Sequence, residues 1–355
     1  MYCDRGLSLG EIAKLTGTTK SHIHYYMTKF DINRRPWTGL APKVDPGLIL
    51  GLYRDQGKTL DEISVALGIS RSTARDHIAN QITLRPRSTP RFSRFAFSGD
   101  ELERAYLLGY RAGDVNAFQD SAETVTARVS TTHPAMLEMF SHCFSRYGRC
   151  KVVPRRVFLT GYDWQVLVYL DNSFRFLIPK PASSPSEPTL LYAFTAGFGD
   201  SDGCWAASDR RGRTAFSFCI TSRNHILLAE LKLALESEGY HPHLYLSRER
   251  GTTKVVKGRD ETRVVTLTED TWTLVMSRRS EVKQLASNVL PYSQHQEKIA
   301  RMKLILDDRN DDWSEMGPKI EELRRSIRAE TSECISRAGI EYKAQNREAA
   351  SGVVG

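Results

Sequence analysis

The stretch that most constrains this chain is Phe194-Thr195-Ala196-Gly197-Phe198-Gly199-Asp200-Ser201-Asp202-Gly203. A glycine inside a helix costs about 1 kcal/mol relative to alanine. A helix that keeps Gly197 and Gly199 therefore does so where another backbone comes very close. Two acids follow at the helix end, and Gly203 lets the chain turn away from them. A looser version stands 88 residues upstream, Leu107-Leu108-Gly109-Tyr110-Arg111-Ala112-Gly113-Asp114. Two such helices packed together would each deliver a carboxylate to a shared tip, and carboxylate oxygens are what hard divalent cations take as ligands. The competing reading of either stretch by itself is a glycine turn with solvated acids.

At 355 residues the chain has room for two or three domains of ~100–150 residues each. Its net charge of +8 and pI near 9.1 favour a polyanionic partner. No run approaches the ~20 apolar residues that span a bilayer, and the opening residues 1–6 carry no apolar leader. Six scattered cysteines form no CxxC pair, which argues against zinc and for a cytoplasmic, reducing setting.

Residues 1–83 contain an internal repeat with a shift of 51 positions: Tyr2 falls on Tyr53, Leu9 on Leu60, Glu11-Ile12 on Glu62-Ile63, Gly17 on Gly68 and Ser21 on Ser72. Each copy reads as helix, glycine turn, helix, over Leu9–Thr16 with Thr19–Phe30 and Thr59–Leu67 with Ser70–Gln81. Ser8 and Thr59 stand at capping-box spacing from Glu11 and Glu62. The pattern looks like two helix-turn-helix units, whose second helices open with Lys20, Ser21 and His22 and with Arg71, Ser72, Thr73 and Arg75. Such polar and basic side chains at a helix N-terminus can reach base edges and phosphates in a major groove. Residues 45–56 offer the second unit a preceding helix, whereas the first has only residues 1–5.

Residues 84–99 are basic and proline-bearing and read as a linker. From 100 to 178 the order is a helix through Glu101–Asp114, a strand over Glu123–Thr132, an amphipathic helix over Pro134–Tyr147, strands over Lys151–Leu159 and Trp164–Leu170, and a short apolar segment. Four prolines make 179–189 a second linker. The same order returns over 190–306, with strands over Cys204–Ser208, Thr214–Thr221, His243–Arg250 and Thr262–Met276 and closing helices over Ser280–Leu290 and Gln296–Leu306. The remainder, 307–355, reads as a polar tail with a helix at Pro318–Ser336. The fold class is α+β, two αββαββα halves after an all-α region.

The nonapeptide Thr195–Gly203 resembles the one that names the LAGLIDADG homing endonucleases, and Leu107–Val115 looks like a degenerate copy. The resemblance covers about 100–306. It implies a single-chain monomer with internal pseudo-twofold symmetry, its motif helices packed through Gly109, Gly113, Gly197 and Gly199 and its strands laid along double-stranded DNA. It further implies that the eighth-position acids, Asp114 and Asp202, hold Mg²⁺, or another divalent ion such as Mn²⁺, for phosphodiester hydrolysis. The sixth-position acid is structural in that family, which fits Asp200, whereas the first copy has Ala112 there and Val115 at the ninth position. Many members carry a lysine after the last strand–helix junction that tunes the attacking water. Here Gln296 stands at that place, Lys298 is the substitute, and the first half offers no match.

The DNA surface expected from the strands comprises Arg128, Lys151, Arg155 and Arg156 in the first half, and Arg210, Arg211, Arg213, Arg248, Arg250, Lys254, Lys257, Arg259 and Arg263 in the second. Because strand residues alternate faces, about half of these can point at DNA. The leading expectation is a site-specific double-strand endonuclease. The alternative is a non-cutting DNA-binding regulator on the same core, with RNA maturase activity third.

Overall fold

A computed structural model describes residues 9–30, 32, 44–79, 81–82, 93–309 and 312–351. Residues 1–5, the Ser8 cap with its Glu11 partner, Cys3, and the basic linker from 84 to 92 lie outside the described residues or side chains. The chain divides into two units, Met1–Thr89 and Pro90–Gly355.

The N-terminal unit is helical: α1 (Leu9–Thr16), α2 (Lys20–Lys29), α3 (Pro46–Arg54), α4 (Leu60–Leu67) and α5 (Arg71–Ala79). The repeat is visible in its turns, where Gly17 and Gly68 both adopt left-handed φ, at 66° and 62°. Thr59 and Glu62 form a reciprocal capping box at the start of α4. Asp45 caps α3, which supplies the third helix of the second copy. Ile49, Leu52, Tyr53, Ile63, Ile69, Ala74 and Ile78 form that copy's core.

The larger unit opens on α6 (Glu101–Ala112), followed by β1 (Asn116–Ser121), β2 (Thr124–Thr131), α7 (Pro134–Phe144), β3 (Cys150–Val157), β4 (Gly161–Asp171) and a 3₁₀ turn at Asn172–Leu177. Its second half runs α8 (Pro188–Asp202), β5 (Gly203–Arg210), β6 (Arg213–Ser222), α9 (His225–Ser237), β7 (His243–Arg248), β8 (Thr253–Lys257), β9 (Thr262–Thr266), β10 (Thr271–Met276), α10 (Arg279–Val289), α11 (Gln296–Asp307) and α12 (Trp313–Ser351). The sheet orders are β1-β2-β4-β3 and β5-β6-β10-β7, the same topology twice. Each sheet buries alternate residues: Val125, Ala127, Val129, Val166 and Val168 in one, and Trp205, Ala207, Phe216, Phe218 and Leu274 in the other.

The structure departs from the sequence reading in four places. Residues 93–99 are not linker: the Phe95 amide donates to the Tyr147 carbonyl at 2.9 Å, and Phe97 packs on Phe174 and Phe176. The first half has an additional strand, β1, whose polar sequence NAFQDS hid the alternation. The expected strand Thr262–Met276 is broken, because Asp270 leaves the ladder to accept the Arg250 amide. β9 pairs instead with β8 in an exposed two-stranded arm.

The tail is the largest departure. α12 runs 39 residues, about 58 Å at 1.5 Å per residue. It starts beside the β5–β6 turn, where the Trp313 amide donates to the Gly212 carbonyl at 3.0 Å. It ends on the first sheet, where the Trp164 indole donates to the Cys334 carbonyl at 3.0 Å and Tyr162 packs on Tyr342. Met316, Ile320, Ile327, Cys334 and Ala338 are buried along it. Among the described residues no helix is long and apolar enough to cross a membrane.

Candidate active site

The site is built where α6 and α8 cross. A Cβ added at Gly109 would lie 2.0 Å from the Phe194 carbonyl oxygen and 2.8 Å from the Phe198 nitrogen. One added at Gly197 would lie 2.0 Å from the Tyr106 carbonyl oxygen and 2.8 Å from the Tyr110 nitrogen. The two contacts are the same contact repeated with an offset of 88 residues, which places a local twofold at the crossing. Gly113 continues the close approach, against Ser201 and the Asp202 carboxylate. Gly199 does not. A Cβ there would meet only the Phe218 ring, at 3.5 Å, because that side of α8 faces its own sheet.

The crossing ends at Asp114, two residues past α6, and Asp202, the last residue of α8. Burial and the neighbouring Asp114 charge push the Asp202 carboxyl up to about 7, and burial raises Asp114 as well. Two cations oppose these shifts on both acids, Lys298 and Lys180. The acids open into a cleft of about 770 Å³ that Lys180, Thr221, Arg248 and Glu269 also line.

Lys298, on α11, donates to the carbonyl of Gly203, the residue after Asp202. Gln296, at the first position of α11, is exposed. Lys180 was missed in the sequence because it sits in a proline-rich stretch read as linker. It follows Asp114 by 66 residues, while Lys298 follows Asp202 by 96, and the β8–β9 arm accounts for most of that difference. The signal that could have found it is a lysine just after the apolar segment that closes the first half.

Asp200 is buried and turned away from the cleft. It accepts hydrogen bonds from the Tyr106 hydroxyl at 2.8 Å, the Gln294 amide at 2.6 Å, the His295 amide at 3.2 Å and the Ser293 hydroxyl. Burial raises its pKa and those four donors oppose the rise.

The basic strand residues separate by face. Arg128, Lys151 and Arg155 share the outer face of the first sheet; Arg128 lies over the Phe118 ring, and Arg155 is held bidentate by Asp163 at 3.1 and 2.7 Å. Arg156 does not join them. Its register partner is Tyr162, on the α12 side, and it pairs with Asp260 at 3.2 Å. Arg210 and Arg213 are cross-strand partners flanking the Arg211-Gly212 turn, in which Arg211 has φ 58°. All four residues are exposed. Arg250, Lys254, Lys257 and Arg263 are exposed on the arm or at its base. The arm's tip reaches the β3–β4 turn of the other half: the Arg259 amide donates to the Phe158 carbonyl at 3.2 Å, and the Arg263 guanidinium lies over the Phe158 ring.

In the helical unit Lys20, Ser21 and His22 are exposed at the start of α2, with the His22 amide capped by Thr19 at 3.2 Å. Arg75 is exposed on α5. Arg71 is paired with Asp61 at 3.2 Å, and Ser72 and Thr73 bond the Ser70 hydroxyl at the α5 start, so part of their polarity serves local structure.

The solved structures that this chain is similar to include the homing endonuclease I-WcaI bound to its DNA recognition sequence, at 13% identity and TM-score 0.41, over 62% of this chain and 96% of that one. Mesophilic variants of the homing endonuclease I-DmoI match at 13% identity and TM-score 0.37, over 54% and 96%. The LAGLIDADG meganuclease I-AabMI bound to uncleaved DNA matches at 12% identity and TM-score 0.34, over 65% and 97%. All three are DNA-cutting proteins by name. No family model matches the sequence, and no curated protein matches it.

Proposed function

We propose that this chain is a site-specific DNA endonuclease of the LAGLIDADG type, in which Asp114 and Asp202 bind divalent cation and the two strand saddles bind duplex DNA. The observation that carries the reading is the pair of acids delivered to one cleft by two helices in glycine-mediated contact. The donor set suits a hard cation. Burial, with the Asp114 charge beside it, raises the pKa of Asp202 to about 7, and a divalent ion would neutralise the negative charge that the two carboxylates bring there. Among the described residues no group of three or more His, Cys, Asp or Glu side chains is arranged for a metal, so the remaining ligands would be backbone carbonyls, water and phosphate. Bound Mg²⁺ would supply Lewis acidity toward phosphate oxygens and a more acidic water. Lys180 and Lys298 hold positive charge beside both acids, where they favour the ionised carboxylates and can meet charge building on a phosphate. The exposed arginines of the second half, with Arg128 and Lys151 of the first, supply phosphate and base-edge contacts. The helix-turn-helix units extend the footprint through Lys20, Ser21, His22 and Arg75.

The test is cleavage of DNA flanking the protein's own gene, with and without Mg²⁺, by the parent and by Asp202→Asn. Metal-dependent double-strand cutting that falls at least about a hundredfold in the variant, with duplex affinity retained, is the expected result. Tight specific binding by a parent that never cuts with any divalent ion would give the protein to the regulator reading.

A further inference from the structure

The two halves anchor the segments that carry their lysines with opposite polarity. In the second half Asp200 accepts from the amides of Gln294 and His295 and from the Ser293 hydroxyl, and so fixes the loop that leads into Lys298. In the first half the corresponding position is Ala112, which can accept nothing. The equivalent loop is nevertheless held, by the residue one step earlier. Arg111 is buried and directs Nε to the Leu177 carbonyl at 2.6 Å, Nη2 to the Ile178 carbonyl at 3.0 Å, and Nη1 to the Val115 carbonyl at 2.8 Å. Among the described residues no carboxylate pairs with it.

The local sequence accounts for the inversion. The first-half loop reads Ile178-Pro179-Lys180-Pro181, and proline has no N–H. The Ile178 amide is already donated to the Arg175 carbonyl at 3.0 Å, so an acid at 112 would find only that of Lys180 there, whereas the carbonyls before it accept from a donor. A guanidinium fork is the side chain that serves three carbonyls at once. Its position supplies the rest: one of those carbonyls belongs to Val115, next to Asp114, and the other two stand two and three residues before Lys180.

We propose that Arg111 is the positioning residue of the first half, tying the loop that carries Lys180 to the end of the helix that carries Asp114, as Asp200 does for Lys298. The consequence for cutting rests on the nuclease reading above; the anchoring does not.

Two measurements on the full chain test this, with Arg111→Met and, should that variant fail to fold, Arg111→Lys, which keeps a single donor group. Hydrogen exchange at the amides of Leu177, Ile178 and Lys180 should accelerate at least about tenfold while the 293–298 loop stays unchanged. Single-turnover cutting at saturating duplex should fall at least about tenfold with affinity for DNA within about threefold. Adding Lys180→Met to Arg111→Met should cost little more, because both act through one loop. Adding Ala112→Asp should not restore the rate. Unchanged exchange at 177–180 in a folded variant, or a rise spread equally over α6 and α8, overturns the anchoring. Accelerated exchange with undiminished cutting overturns its functional half. Accelerated exchange in a protein whose parent never cuts leaves the anchoring standing and removes the nuclease reading.

Discussion

Gly109→Ala isolates the physical claim on which the site rests. The new methyl would sit 2.0 Å from the Phe194 carbonyl oxygen and 2.8 Å from the Phe198 nitrogen. Neither neighbour can step aside, since both are backbone of α8. Restoring a normal separation of ~3.5 Å means that the helices part by more than about 1 Å at the crossing. A gap of 0.5–1 Å forfeits roughly a quarter to a half of each facing van der Waals contact, and overpacking of a core costs about 1–3 kcal/mol or more. Because both clashing groups are backbone the cost lies at the top of that range, and alanine's better helix propensity returns about 1 kcal/mol, leaving a net loss of about 2 kcal/mol. For a unit of this size that is a fall in Tm of roughly 4–8 °C. Gly199→Ala is the matched control: it gains the same propensity, and its methyl meets the Phe218 ring at an ordinary 3.5 Å, so it should be neutral or slightly stabilising. Tryptophan fluorescence is weighted to the right transition, because Trp164, Trp205, Trp272 and Trp313, four of the five tryptophans, lie in the larger unit, and Trp37→Phe removes the fifth. A Gly109→Ala melt within about 1 °C of the parent, or a Gly199→Ala melt that falls as far, would refute the reasoning.

The pH dependence of stability follows from Asp202. Its folded pKa of about 7 lies above the ordinary unfolded value near 3.9, so its contribution is fully present below ~pH 4 and is lost as pH rises through 7. Asp202→Asn should therefore match the parent in thermal melts at pH 4 and exceed it at pH 8 by about 1–3 kcal/mol. Divalent cation should close that gap for the parent at pH 8 and leave the variant unmoved; a parent that is equally stable relative to the variant at both pH values would contradict the assignment. Thr59→Ala removes a capping box and should cost the helical unit about 1 kcal/mol, seen as a shift in its own unfolding transition with the larger unit's melt unchanged. Deleting residues 313–351 removes the buried Met316, Ile320 and Ile327 and uncovers the side chains they and Cys334 pack on, Trp164 among them, at roughly 1.5–3 kcal/mol per side chain, so the larger unit should lose at least about 10 °C or become insoluble. An unchanged melt would mean that α12 is dispensable.

The halves and the helical repeat before them were legible in the sequence because their signals are local. A glycine-and-acid helix end, a 3.6-residue apolar period and a Thr59–Glu62 cap each declare themselves within a few residues. What stayed hidden depended on distant partners. β1 is polar along its length and is a strand because β2 pairs with it. Lys180 lies between two prolines, and only the fold brings it to Asp114 and Asp202. Arg111 is a single charged residue within the motif, and its role depends on the Leu177 and Ile178 carbonyls, 66 and 67 residues away. The basic residues show the same limit in reverse. Arg155 and Arg156 are neighbours in sequence, and the period-2 geometry of β3 sends one to the outer face and the other toward α12. Charge alone could not choose between them.

The placement of α12 bears on how the protein can be made. The Trp164 indole waits for a carbonyl 170 residues further along the chain. At synthesis rates of ~5–20 residues per second, the back of the first sheet stays uncovered for roughly 10–30 s after its last strand has left the ribosome. Trp164 and Tyr162 face solvent throughout that interval. The first half is thus the last part of the larger unit to be finished, although it is the first to be translated. Conditions that slow translation of the codons for residues 313–351 should raise aggregation of this protein more than the same delay placed within residues 1–100.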